Sequence, residues 1–111
     1  MLLTDLLTTE PTHESIGELL HEVIDPELGV NIMDLGLVRE IAIAETGAVG
    51  IAMTLTTPAC PLGPYITEQI QDLLGQVTTV TDVEVEVVWN PPWDPDHDMT
   101  DYAKQLLGWR H

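Results

Sequence analysis

Basic residues are scarce in this sequence. Lysine and arginine together number three among 111 residues, against 19 aspartates and glutamates, and the formal net charge is −16. A phosphate backbone would be repelled by such a field, which excludes nucleic-acid binding, and anionic membrane surfaces are disfavoured for the same reason. The negative charge suits a basic partner surface or a salt-adapted cytosol, although solubility is the commoner reason for such an excess.

Cysteine occurs once, as Cys60, so no disulfide can form within the chain and nothing indicates an oxidising compartment. A Cys-x-x-Cys pair, a glycine-rich phosphate loop and a His–Asp catalytic pattern are also missing. No stretch approaches the length of a membrane span. Residues 1–7 lack the basic region of a signal peptide and carry Asp5 within their apolar run. These absences predict a cytoplasmic protein.

Aromatic residues are few, and phenylalanine is absent. The hydrophobic fraction of 44% is still sufficient for a core, which must be built from valine, isoleucine, leucine and methionine. The length of 111 residues allows one domain. Because Pro11 separates the first residues from the rest of the chain, we expect a flexible N-terminal extension at 1–12 and a single domain at 13–111.

Hydrophobic periodicity predicts three helices and three strands. In chain order they are a helix at 15–24, strands at 37–45 and 49–56, a helix from Pro61 to about Leu74, a strand at 83–87 and a helix after Thr100. The first two strands form a hairpin. The order α–β–β–α–β–α predicts an α/β (α+β) two-layer sandwich, with helices packed on one face of a small three-stranded mixed sheet.

Two of these elements have distinctive faces. Small side chains alternate with the apolar ones along the second strand, at Gly50, Ala52, Thr54 and Thr56. They are small enough for a helix or a neighbouring backbone to come close. In the last helix, the spacing predicts an inner face formed by Tyr102, Ala103, Leu106 and Leu107.

Cys60 lies at the junction between the second strand and the second helix. Pro61 has the fixed φ and the missing N–H that suit a first helical position, which makes Cys60 the predicted N-cap. A thiol there is exposed to the positive end of the helix dipole, which favours the thiolate as a nucleophile or metal ligand. The alternative is that Cys60 is a small buried hydrophobic residue.

Three carboxylates occur within ten residues of the loop before the first strand, at Asp25, Glu27 and Asp34. One explanation is that they are turn caps that bind their own backbone. In a hairpin, however, the start of one strand lies beside the end of the other. The loop can therefore approach the residues just after the second strand, namely Thr56, Thr57 and Cys60.

Carboxylates near a thiol in general raise its pKa, which opposes the effect of a helix dipole. A cation would remove this conflict, since thiolate and carboxylate together suit iron or zinc. The acidic surroundings therefore favour metal handling over thiol catalysis. His97 is a candidate additional ligand, although isolated histidines are seldom ligands.

Five motifs in order resemble a known family: Asp25-Pro-Glu, Asp34-Leu-Gly-Leu, Met53-Thr-Leu-Thr-x-Pro-x-Cys-Pro, Trp89-x-Pro-Pro-Trp and Ala103-x-x-x-Leu-Gly. They are similar to motifs of the SufT-like, PaaD-related proteins, a domain that also forms the N-terminal part of some Mrp-type ATPases. The resemblance covers about residues 13 to 109.

The resemblance implies an accessory or targeting factor in iron–sulfur cluster assembly, rather than a turnover enzyme. Its partners would be components of the SUF machinery and client apo-proteins. It places the family's cysteine at Cys60 and a cleft at Asp25, Glu27, Leu28, Asp34, Thr56 and Thr57. In this interpretation Cys60 contacts iron or sulfur, and Asp25 and Glu27 share the metal.

One thiolate per chain cannot hold a cluster that needs four ligands. We therefore expect no stably bound cofactor, only transient contact with iron or a cluster. A homodimer in which two chains share one site is compatible with this ligand count.

Two alternatives stay open. One is a small subunit or maturation factor of a phenylacetate-type oxygenase, although the cysteine-rich tail of those relatives is missing after His111. The other is a thiol-dependent enzyme acting on a small molecule.

Overall fold

The computed structural model describes residues 11–56 and 63–108. Within these ranges the elements, in chain order, are α1 (His13–Leu20), β1 (Ile24–Asp25), β2 (Val30–Asn31), β3 (Val38–Ile43), β4 (Ala48–Met53), α2 (Gly63–Gly75), β5 (Asp82–Val87), α3 (Pro95–Asp98) and α4 (Asp101–Leu106). The predicted order of helices and strands is confirmed. The short β1–β2 pair and the separate helix α3 are additions to it.

The main sheet has three strands in the order β3-β4-β5. β3 and β4 are antiparallel, from Val38 opposite Met53 to Ile43 opposite Val49, with an irregularity in register between Val38 and Glu40. β4 and β5 are parallel, because the chain crosses from one to the other through α2. The predicted mixed sheet is therefore confirmed, with β4 in its centre.

Helix α1 begins two residues earlier than predicted and ends at Leu20. Thr12 and Ser15 form a reciprocal capping box, in which each side-chain oxygen accepts a hydrogen bond from the other's backbone N–H, at 3.0 and 2.9 Å. The helix stops short of Ile24 because the next stretch of backbone pairs with a later segment. Val23 accepts a hydrogen bond from the N–H of Ile32 at 2.9 Å, which starts the β1–β2 pair.

The core lies between α1, α2 and one face of the sheet, and it is aliphatic as predicted. Each of the three elements contributes three buried side chains: Ile16, Leu19 and Leu20 from α1, Val49, Ile51 and Met53 from β4, and Ile66, Ile70 and Leu74 from α2. Leu55 extends the same row, and a Cβ on Gly63 would lie 2.8 Å from Leu55 Cδ1. Glycine thus allows α2 to approach the end of β4 closely.

Helix α4 begins after Thr100, whose hydroxyl accepts a hydrogen bond from the N–H of Ala103 at 3.2 Å, so the predicted cap is confirmed. The predicted inner face is wrong in part, since Tyr102 and Leu106 are 57% and 55% exposed. The inward side has a spacing of four residues instead, from Met99 through Ala103 to Leu107. Within 11–56 and 63–108, no helix combines the length and apolar character needed to cross a membrane.

Candidate functional site

The predicted site residues fall in three segments of the chain. Cys60 and Thr57 lie outside the described residues, as does the predicted start of the second helix at Pro61. Thr56 is described, and it is half-buried in a bend just after β4. Asp25 ends β1, and Glu27, Leu28 and Asp34 lie on the turns that flank β2.

The backbone brings these turns to the end of β4. Val38 pairs with Met53, and the carbonyl of Leu37 accepts a hydrogen bond from the N–H of Thr54 at 2.7 Å. The segment that enters β3 therefore runs beside the segment that leaves β4 toward residues 57–60. Among the described residues, no three His, Cys, Asp or Glu side chains gather in a way that could hold a metal ion.

Asp25 is a buried carboxylate that organises its own turn. Only 2% of the residue is exposed, and its Oδ1 accepts hydrogen bonds from the backbone N–H groups of Glu27 and Leu28 at 2.8 and 3.2 Å. Its carbonyl accepts a third bond from Gly29 N–H at 2.7 Å. This is the turn-capping role that aspartate before proline adopts. Glu27 is left exposed on the turn, and Leu28 packs half-buried against the core.

Asp34 is the centre of a polar network. Its Oδ2 accepts a hydrogen bond from Asn31 Nδ2 at 2.6 Å, and its Oδ1 accepts one from the Thr100 hydroxyl at 2.9 Å. The Thr100 N–H also binds the Asp34 carbonyl at 2.9 Å, and His21 Nε2 lies 4.0 Å from Oδ2. Oδ1 thus joins the β2–β3 turn to the start of α4, while Oδ2 ties the turn to Asn31 of β2.

The proline-rich loop after β5 packs onto the same turn. The indole N–H of Trp93 donates to the carbonyl of Leu35 at 2.7 Å. Gly36 has a φ of +77°, and a Cβ there would collide with the backbone carbonyl of Asp98. Two motifs far apart in sequence, Asp34-Leu-Gly and Trp89-x-Pro-Pro-Trp, are therefore one packed unit in the structure.

Sequence reasoning missed the contributions of Asn31, Trp93 and Thr100 to this unit. Thr100 is predicted only as a helix cap, and its bond to Asp34 spans 66 residues, which no local pattern signals. Trp93 is predicted only as part of a motif. His97 is exposed on α3, and its neighbour Asp98 pairs with Arg39 at 3.7 Å.

The comparisons with known proteins agree with this architecture. A family model described as "Iron-sulfur cluster assembly protein" matches residues 13–87. The chain is 46% identical to the Fe-S protein maturation auxiliary factor YitW of Bacillus subtilis, over 89% of this chain and 96% of that protein. It is 45% identical to the Fe-S protein maturation auxiliary factor SufT of Staphylococcus aureus, over 78% and 97%.

A solved domain of unknown function, DUF59, from Bacillus anthracis superposes with a TM-score of 0.82 at 41% identity, covering 87% of this chain and 92% of that one. The mixed three-stranded sheet and its helices are thus shared with an experimental structure at substantial sequence identity. The family model spans more than half of the described domain. The chain belongs to the iron–sulfur cluster assembly protein family.

Proposed function

We propose that this protein is an auxiliary factor in the maturation of iron–sulfur proteins, in which Cys60 contacts iron or sulfide in transit. The observation that carries the proposal is the backbone pairing of Leu37 with Thr54. It sets the Asp34 turn beside the segment that leads to the single cysteine, in a chain 46% identical to a named maturation factor. The names of the relatives favour this function over an oxygenase subunit or a small-molecule enzyme.

The residues of the cleft divide into two roles in this proposal. Asp25 Oδ1 accepts a hydrogen bond within its own turn, and Asp34 Oδ1 accepts one from Thr100 at the start of α4. These two carboxylates therefore hold the cleft in shape. Glu27 is exposed and can offer a carboxylate to iron beside the Cys60 thiolate. Leu28 and Thr56 line the approach, and the sequence prediction adds Thr57 to them.

The cargo is held only briefly. A cluster is normally bound by four protein ligands, and this chain has one cysteine. The missing ligands come from a donor of the SUF type, from the client apo-protein or from a second copy in a homodimer. We place the protein in the cytoplasm, with residues 1–12 as an extension of a domain that begins at 13.

The test is cluster transfer to a client under anaerobic conditions. A cluster-loaded scaffold protein and an apo-client enzyme are mixed with the parent, with Cys60→Ser, or with Glu68→Gln as a control on exposed α2 surface. We expect Cys60→Ser to abolish the acceleration of client activity and Glu68→Gln to preserve it. Equal acceleration by Cys60→Ser and the parent would disprove the role of the thiol.

A further inference from the structure

A surface cavity lies where β3 turns into β4, at the opposite end of this hairpin from the Asp34 turn. It measures about 350 Å³, and it is lined by residues 43–47, by Thr79 and by Pro11. We call it the turn cavity. None of the described residues of the maturation site lines it, so the proposed function does not explain it.

Backbone contacts hold the walls of the turn cavity in place. The Gly47 N–H donates to the carbonyl of Ala44 at 2.9 Å, and the Gly47 carbonyl accepts a hydrogen bond from the N–H of Thr81 at 3.0 Å. Gly47 has a φ of +92°, and a Cβ there would collide with the carbonyl of Thr79. The β3–β4 turn and the segment after α2 are therefore packed together, which fixes the shape of the cavity.

The apolar part of the lining continues the core. Ile43 is paired with the buried Val49, and it packs half-buried against the core cluster. Pro11 is also half-buried, and Ala44 is exposed beside them. Apolar side chains that pack on this surface remove it from water, which stabilises a fold in proportion to the area covered.

The described chain begins in the wall of this cavity. A reciprocal capping box with Ser15 fixes Thr12 in an extended conformation, and residues 1–10 join the domain at the adjacent Pro11. Because a chain spans at most about 3.3–3.6 Å per residue, Leu6 and Leu7 lie within about 14–18 Å of Pro11. A tether this short gives an effective concentration on the order of millimolar at the cavity.

Residues 1–10 have the composition of an apolar occupant. Leucines occur there in two pairs, at 2–3 and at 6–7, and Asp5 and Glu10 are the only charged side chains. The spacing of four residues between the pairs is that of side chains on one side of a helix. The family model begins at residue 13, so membership of the family does not account for these leucines.

We propose that residues 1–10 dock in the turn cavity of their own chain, with Leu6 and Leu7 against Ile43 and Pro11. The segment that the sequence predicts to be flexible is then held against the domain, and it covers the end of the core. The proposal goes beyond the maturation function and does not depend on Cys60. A second copy of the chain is a weaker candidate, because it lacks the advantage of the short tether.

The test is a paramagnetic relaxation measurement by NMR on the full chain. A nitroxide is attached at Thr4→Cys, between the leucine pairs, in a Cys60→Ser background that leaves one thiol for labelling. We expect the label to broaden the amide signals of Ala44 and Thr46, which line the cavity, more than that of Glu14. Glu14 is exposed near Pro11 but outside the cavity, so equal broadening of the three signals would overturn the proposal.

The deciding variant is Leu6→Ser/Leu7→Ser. We expect it to reduce the broadening at Ala44 to the level at Glu14 and to lower the Tm by about 5–10 °C. The matched control is Leu106→Ser, at a leucine that is 55% exposed on α4; it should preserve the broadening and lower the Tm by less than about 2 °C.

Two results would overturn the proposal at this stage. One is broadening at Ala44 that survives the double serine substitution, since the leucines would then not hold the segment in the cavity. The other is broadening in a mixture of spin-labelled chains with isotopically labelled chains that carry no nitroxide. That result would assign the cavity to the extension of a second copy.

Discussion

Replacing Thr54 by valine should make the protein more stable. The residue is fully buried and its hydroxyl has no partner among the described residues. A buried hydroxyl left unpaired costs about 1–3 kcal/mol. Valine keeps the shape and suits an extended strand. We therefore expect the free energy of unfolding to rise by about 1–2 kcal/mol. In a domain of this size, each kcal/mol raises the Tm by roughly 4–6 °C.

Thr100→Val is the matched control, because it is the same substitution at a position where the hydroxyl makes hydrogen bonds. The Thr100 hydroxyl donates to Asp34 Oδ1 at 2.9 Å and accepts from Ala103 N–H at 3.2 Å. Valine removes both bonds and the cap of α4. We expect the free energy of unfolding to fall by about 1–2 kcal/mol.

Urea denaturation of the two variants and the parent, with unchanged m-values, gives both numbers. Opposite signs for the two variants are the expected result. If Thr54→Val is destabilised like Thr100→Val, the Thr54 hydroxyl is bonded in solution, and its assignment as an unpaired group is wrong.

Two further substitutions test the unit formed by the β2–β3 turn and the proline-rich loop. Gly36→Ala should lower the free energy of unfolding by more than about 2 kcal/mol, because φ is +77° and the new Cβ meets the Asp98 backbone; a melting temperature equal to the parent's would contradict this packing. Trp93→Phe should lower the free energy of unfolding in urea denaturation by at least about 1 kcal/mol, since the bond to the Leu35 carbonyl is lost and a smaller aromatic ring replaces the indole. No change would show that this bond does not contribute.

The fold was predictable because its signals are local. The alternation of Val83, Val85 and Val87 with glutamates defines β5, and the 3.6-residue spacing of Ile66, Ile70 and Leu74 defines α2. The errors in the predicted helices occurred where contacts with other segments of the chain decide the end or the inner face of a helix. Helix α1 ends early because Val23 pairs with Ile32. The face of α4 is rotated relative to the prediction because only one side of a six-residue helix meets the core.

The site was less predictable for the same reason. Hairpin geometry alone predicts that Asp34 lies near the end of β4, and the pairing of Leu37 with Thr54 agrees with it. What Asp34 does there depends on Asn31 and on Thr100, which is 66 residues away. Composition and spacing cannot distinguish a carboxylate that binds metal from one that binds a threonine hydroxyl and an asparagine amide.

The carboxylates of this chain therefore belong to two physical classes. Asp25 and Asp34 are engaged by backbone N–H groups, an amide and a hydroxyl, so their charge is compensated within the domain. Glu84 and Glu86 stand exposed beside the small residues of β4, with no cation of the described chain near enough to pair with them. Exposed unpaired charges add little to stability, while a row of them governs which partners associate and how fast. Asp25 and Asp34 are thus explained by folding, whereas Glu84 and Glu86 are not.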